Sequence, residues 1–325
     1  MRVSSLIIAS ALILISCTGD APRDNPFDPN SEVYQYAHSI TGEVLRKIPP
    51  YNAIPSARVE MEPEGLVTST DENGNFRFEH LQHDSLTLLI SKEGYGAISI
   101  NGAVNELPDQ YYLNARPVMD SIAVVTNHIS HWWPVEDEFE IAFSGWVVDA
   151  DGITDIDSVW FTVPDAKISL PANGQINDNG MIRVALYDWQ MDIPATDLTG
   201  MPIYGHVLDS DSLEAMPLET YTTRFIESSP TPTSPAGNEE TTGFPVLRWE
   251  EFDANYTFYY HVEVFRVSSG NTTTKILGQP QIPKTEKKYS VTDSLANGSY
   301  YWTLGVYDIY GNSTHSKEAT FTVVE

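Results

Sequence analysis

Apolar and polar residues alternate at a period of two along most of this chain. In ITGEVL, Ile40, Gly42 and Val44 fall on one face, and in ARVEME so do Ala57, Val59 and Met61. Successive side chains of a strand point to opposite faces, so each such run predicts a half-buried strand. The runs continue as LTLLISKEGYGAISI, then SIAVVT, EFEIAFSGWVVDA, DSVWFTV, MIRVALYDW, YGHVLDS and ETYTTRFI. A last group is FPVLRWEEF, YTFYYHVEVFRV, KKYSVTDSL, GSYYWTLGVYDIYGNST and EATFTVVE. Between VTST and FRFEHL, the Asn73-Gly74 pair predicts a tight hairpin, because both residues tolerate positive φ. No apolar stripe at helical spacing lasts beyond about two turns. The expected fold class is all-β, as tandem β-sandwiches.

The period lapses in three places, and these divide the chain. Residues 1–16 carry Arg2 and then an apolar run from Leu6 to Ile15. Spanning a bilayer as a helix takes about 20 apolar residues, so the run reads as the core of a signal peptide. Residues 17–37 are rich in Pro, Asp and Asn and read as an extended tether. Residues 227–243, ESSPTPTSPAGNEETTG, read as a linker. The remaining stretches, 38–116, 117–226 and 244–325, are each long enough for one sandwich.

Composition narrows the function. Eighteen Lys and Arg stand against 45 Asp and Glu, a net charge of −27. Such a surface repels phosphate backbones, so nucleic acid is not an expected partner. One cysteine occurs, Cys17. It cannot form an internal disulfide, and Leu14-Ile15-Ser16-Cys17 resembles the lipobox of bacterial lipoproteins. That resemblance implies lipidation at Cys17, cleavage before it, and a protein held by its N-terminal lipid at the outer membrane or cell surface.

Three further resemblances follow from motifs. Ile40-Thr-Gly-x-Val44, Pro55-x-Ala-x-Val59, Thr70-Asp-x-Asn-Gly-x-Phe-x-Phe-x-x-Leu81 and Lys92-x-Gly-Tyr95 resemble the carboxypeptidase regulatory-like domain, a transthyretin-like sandwich. In that family Asp71 and Asn73 are turn formers. The catalytic zinc pattern of carboxypeptidases, His-x-x-Glu with a later His, is missing: the one such spacing, His315 to Glu318, has no histidine after it. The segment Val147-x-Asp-x-Asp-Gly-Ile153-x-x-Ile-x-Ser-Val159 is similar to strand connections in bacterial Ig-like domains. Leu247-x-Trp249, Tyr260-x-Val-x-Val264 and the stretch from Leu295 through Trp302 to Ser313 resemble a fibronectin type III domain, in which Trp249 and Trp302 would fill the core. Its four Asn-x-Ser/Thr triplets, at Asn255, Asn271, Asn297 and Asn312, read as ordinary turn residues.

Candidate chemistry is sparse. In DADGITDID, the spacing of Asp149, Asp151, Asp155 and Asp157 offers the oxygen ligands that calcium takes. The EF-hand template asks for Glu at loop position 12, where this chain has Trp160. The plainer reading is a turn between two strands, with Gly152 at positive φ. Trp132 and Trp133, in HISHWWP, are candidates for stacking on a sugar ring or for packing against a neighbouring domain. There is no G-x-S-x-G elbow, no phosphate-cradling glycine loop and no H-E-x-x-H, so no enzymatic activity and no cofactor are expected beyond that calcium reading. The expected function is an anchored envelope lipoprotein presenting sandwich modules to an envelope or extracellular protein for adhesion or scaffolding. The alternative is glycan capture at exposed aromatics.

Overall fold

A computed structural model describes residues 38–132, 135–172, 175–268, 270 and 272–324. The lipobox with Cys17, the tether before His38, and Trp133 lie outside the described residues. Among those described, no helix is long and apolar enough to cross a membrane. The chain divides into two compact units, meeting in sequence at Asn114 and Ala115.

The first unit holds seven strands: β1 (His38–Arg46), β2 (Arg58–Glu62), β3 (Leu66–Ser69), β4 (Asn75–Leu81), β5 (Ser85–Ser91), β6 (Ile98–Ala103) and β7 (Gln110–Leu113). They form a three-stranded sheet, β4-β1-β7, and a four-stranded sheet, β3-β2-β5-β6. The alternation seen in the sequence sends Val44, Phe76, Phe78 and Tyr111 of one sheet and Val59, Met61, Leu88 and Ile90 of the other into a shared core. Asp71 builds the turn before β4, which is not the hairpin expected from the sequence: β3 and β4 belong to different sheets, so the turn carries the chain from one sheet to the other. Asp71 Oδ1 accepts the N–H groups of Asn73 and Asn75 at 2.9 and 2.8 Å. Of the Asn-Gly pair only Gly74 takes positive φ, at 79°. A Cβ there would stand 2.5 Å from the Val44 carbonyl oxygen, so glycine is required by space as well as by φ.

The second unit begins with β8 (Val118–Ile129), β9 (Glu138–Val148), β10 (Ile156–Val163), β11 (Ile168–Pro171), β12 (Met181–Tyr187), β13 (Pro202–Asp209) and β14 (Leu218–Tyr221). The sheet β11-β10-β13-β14 faces β12-β9-β8, and Phe143 stacks on Phe161 between them at 5.3 Å. The chain continues with β15 (Pro232–Ser234), β16 (Glu239–Thr241), β17 (Val246–Trp249), β18 (Phe258–Val267), β19 (Thr273–Pro283), β20 (Lys288–Ser290), β21 (Gly298–Asp308), β22 (Ser313–His315) and β23 (Ala319–Val323). Trp249, Tyr260 and Trp302 are buried in this second core, as expected for the two tryptophans.

Two further features depart from the sequence reading. The 227–243 stretch is not a free linker: it supplies β15, which pairs with β17, and β16, which pairs in parallel with β23. The Trp302 indole N–H also donates to the Pro235 carbonyl at 2.8 Å, fixing this stretch over the core. The two sandwiches are moreover not separate beads. β22 pairs in parallel with β8, so one nine-stranded sheet runs β12-β9-β8-β22-β21-β18-β19, with β23 and β16 attached beside β21.

A buried polar joint backs that pairing. Asn312 Oδ1 accepts the Thr126 N–H at 3.1 Å, and its Nδ2 donates to Asp308 Oδ2 and Thr223 Oγ1, both at 2.9 Å. Arg224 reaches the buried Asp308 carboxylate at 2.8 Å. His128 lies inside the same joint, with Nδ1 near the Ile226 carbonyl and the Thr314 hydroxyl at 3.1 and 3.0 Å. These contacts satisfy groups that would otherwise be buried unpaired.

Candidate metal centre

Between β9 and β10 the chain must reverse in seven residues. Asp149 starts the turn: its Oδ1 accepts the Asp151 N–H at 2.7 Å and its carbonyl accepts the Gly152 N–H at 3.1 Å. Gly152 takes φ 105°, as the sequence predicts, and a single 3₁₀ turn, Ile153–Asp155, leads into β10. This folding of the loop turns three carboxylates inward. Asp149, Asp151 and Asp155 each offer an oxygen, and these atoms all lie within 4.8 Å of one another.

Each of the three has one oxygen tied to the fold and one left over. Asp149 Oδ1 holds the turn, Asp151 Oδ2 accepts the Ala115 N–H at 2.5 Å, and Asp155 Oδ1 accepts the Ser210 hydroxyl. The other oxygens, Asp149 Oδ2, Asp151 Oδ1 and Asp155 Oδ2, are buried and have no hydrogen-bond donor. Asp151 is 8% exposed and Asp155 5%. Among the described residues, no lysine, arginine or histidine forms an ion pair with any of them. Burial, reinforced by the charges of Asp151, Asp155 and Asp209, pushes the Asp149 carboxyl up to about 6. Asp209, at the end of β13, is likewise raised by burial and by Asp155 and Asp211.

Asp157, the fourth predicted ligand, is not brought to this group. It sits one residue into β10, and the strand's alternation turns it to solvent. The acidic field is enlarged instead by Asp209, which the sequence reading missed. Asp209 lies far along the chain, and its signal was the Asp209-Ser210-Asp211 turn closing a strand. Its Oδ1 accepts the N–H groups of Asp211 and Leu213 at 2.9 and 2.8 Å.

Trp132 follows the end of β8 and is 65% exposed. Its indole N–H donates to the Glu318 carbonyl at 2.8 Å, and Lys317 Nζ stands 4.8 Å over the ring. It borders a groove of about 550 Å³ whose walls include Ser229 to Pro232 and Ala236. The ring is therefore engaged by a cation that borders the same groove. His83 bonds Glu64 at 3.0 Å and His128 is used in the joint described above, so neither belongs to the acidic group.

No protein-family model matches this chain, and no curated protein is similar to it in sequence. Among similar solved structures are the chicken CNTN1 FN1–FN3 domains, 9% identical, covering 85% of this chain and 93% of that one with a TM-score of 0.36. The fibronectin(III)-like modules of Clostridium thermocellum CbhA are 12% identical, covering 64% and 93% at a TM-score of 0.31. Scores of this size carry no argument about function. The protein is all-β, built of packed sandwiches, with a buried acidic group that has no cationic ion-pair partner among the described residues.

Proposed function

We propose that this chain is a non-enzymatic envelope lipoprotein, anchored through Cys17, that presents β-sandwich modules for protein binding or scaffolding. In this reading the first unit is a transthyretin-like, carboxypeptidase regulatory-like module. The second joins an Ig-like to a fibronectin type III-like sandwich. The observation that carries the proposal is the continuous sheet from β12 to β19. Sandwiches joined only by a flexible linker can reorient, whereas two that share a sheet and a buried polar joint hold their exposed loops in one fixed relation. Fixed spacing of display surfaces suits a scaffold or adhesin.

The test is fractionation and protease shaving of intact cells. The wild-type chain is expected in the membrane fraction and Cys17→Ser in the soluble fraction. A Cys17→Ser variant that still pellets with membranes refutes the anchor. Loss of the wild-type protein from unbroken cells on shaving would locate the modules at the cell surface. Protection would locate them in the periplasm, where a scaffold in an envelope complex is the form the proposal takes.

Glycan capture is the second reading, and the exposed Trp132 beside its groove favours it. It requires that Trp132→Ala abolish retardation of the protein in gels containing the glycan.

A further inference from the structure

We propose that the loop between β9 and β10 is a calcium site, in which Asp149, Asp151 and Asp155 coordinate one ion that fastens this end of the second unit. The proposal is independent of where the protein resides and of what its modules bind.

Two independent observations support it. The first is geometric. Three ligand oxygens lie within 4.8 Å of one another, close enough for one ion with the roughly 2.4 Å bonds calcium makes to oxygen to touch all three. Magnesium demands near-ideal octahedral geometry and gives up its waters reluctantly, so three carboxylates on a turn suit calcium better. The second is the unpaired oxygen on each side chain, two of them on residues more than nine-tenths buried. Leaving a buried acceptor without a donor is costly, and leaving three converging carboxylates without a counter-charge is more so. A water molecule brings two protons and no charge, so it cannot serve three oxygens and neutralise them. A divalent cation does both, with further waters completing its shell.

The remaining oxygens show what the ion would hold. Asp151 Oδ2 is bonded to Ala115, the first residue of the second unit, and Asp155 Oδ1 to Ser210, just after β13. The Asp155 carbonyl also accepts the Ser210 N–H at 2.8 Å. One ion would therefore draw together three chain segments: the start of the unit, the β9–β10 loop and the β13–β14 loop. Without it, the mutual repulsion of the carboxylates works against those same contacts.

The experiment is thermal unfolding and isothermal titration of the full chain after chelation, with calcium or magnesium added back. Sites of this kind in extracellular modules bind with Kd of roughly 10⁻⁴–10⁻³ M. At ~10 mM calcium the melting temperature of the second unit is expected to rise by about 5–10 °C. Asp149→Asn and Asp155→Asn keep the hydrogen bonds to the fold and remove charge. They are expected to melt at or above the wild-type temperature without calcium, and to lose the calcium response. Asp157→Asn is expected to retain the whole response. The surface is strongly acidic, so the magnesium arm separates a site from general screening. An equal shift with magnesium, a response surviving in Asp155→Asn, or no binding heat at 10 mM calcium would each overturn the proposal.

Discussion

Asn312 offers a direct test of how the two sandwiches of the second unit are held together. It is fully buried, and its side chain bonds Thr126 of β8, Thr223 and Asp308. In Asn312→Ala the Thr126 N–H, itself buried, loses its acceptor, at a cost of about 1–3 kcal/mol. The Asp308 carboxylate keeps the backbone N–H groups of Tyr310 and Asn312 and its bond to Arg224, but loses one of four donors. A hydrogen bond to a charged group contributes about 1.5–3 kcal/mol. Thr223 is exposed and can turn to water. The total is about 2.5–6 kcal/mol, directed at the joint rather than at either hydrophobic core.

Urea unfolding of the full chain, followed by tryptophan fluorescence, reads this directly. The tryptophans lie on both sides: Trp146 and Trp160 in the sandwich of β8–β14, Trp249 and Trp302 in that of β15–β23. In the wild type the two should unfold in one transition. In Asn312→Ala the transition should move to lower urea and split, as each sandwich unfolds at its own stability. Asn255→Ala, an exposed member of the same set of Asn-x-Ser/Thr triplets, should stay within about 0.5 kcal/mol of wild type. A loss below 1 kcal/mol with a single transition retained would refute the reasoning. The parallel pairing of β22 with β8 would then suffice without the polar side chains.

Two further outcomes follow from local geometry and charge. Gly180→Ala should cost more than about 2 kcal/mol and lower the melting temperature of the second unit by at least about 4 °C, because Gly180 has φ +82° and a Cβ there would lie 2.1 Å from the Val147 carbonyl oxygen; an unchanged melting temperature by differential scanning calorimetry would contradict this. His261 and His315 are both held below the ordinary 6.5, first by burial and then by nearby positive groups, against the opposing pull of Glu263. A histidine with a lowered folded pKa takes its proton more readily when unfolded, so its stability is present above pH 6.5 and is lost as pH falls through that value. Raised Asp149 and Asp209 act in the opposite sense, so the histidine contribution is read by difference. The melting temperature at pH 5 relative to pH 7 should be higher in His261→Gln than in the wild type, and a variant with the wild-type difference would show that other groups set it.

How much of this could be read from the chain depends on whether a contact leaves a local period. β1, β2 and the strands around Trp249 and Trp302 did, because each has one face in a core and the other in water. β19 did not. Its residues are almost all exposed at a sheet edge, so no apolar alternation marks it, and the sequence reading passed over it. The ETYTTRFI run was expected as one strand, yet β14 ends at Tyr221. The rest leaves the ladder, and there the Arg224 and Ile226 carbonyls accept from Thr126 and His128.

The joint itself was invisible for a physical reason. A parallel pair between β8 and β22 unites segments 186 residues apart in sequence, and its recognition is carried by single polar side chains rather than by a repeating pattern. The acidic loop was half legible. Asp149, Asp151 and Asp155 were identified by spacing, but spacing alone could not distinguish them from Asp157. That distinction is made by where the 3₁₀ turn ends and strand alternation begins, one residue after Asp155. A turn motif and a calcium loop use the same residues, because both need short side chains with oxygen acceptors and one glycine. What separates them is whether every oxygen finds a donor within the fold. In the first unit's turn between β3 and β4, Asp71 Oδ1 is satisfied by two backbone N–H groups at an exposed position. In the β9–β10 loop three carboxylates gather within 4.8 Å, and each keeps a buried oxygen without a donor. The same residue type in similar turn sequences thus has two different physical roles, and only the count of donors around each oxygen tells them apart.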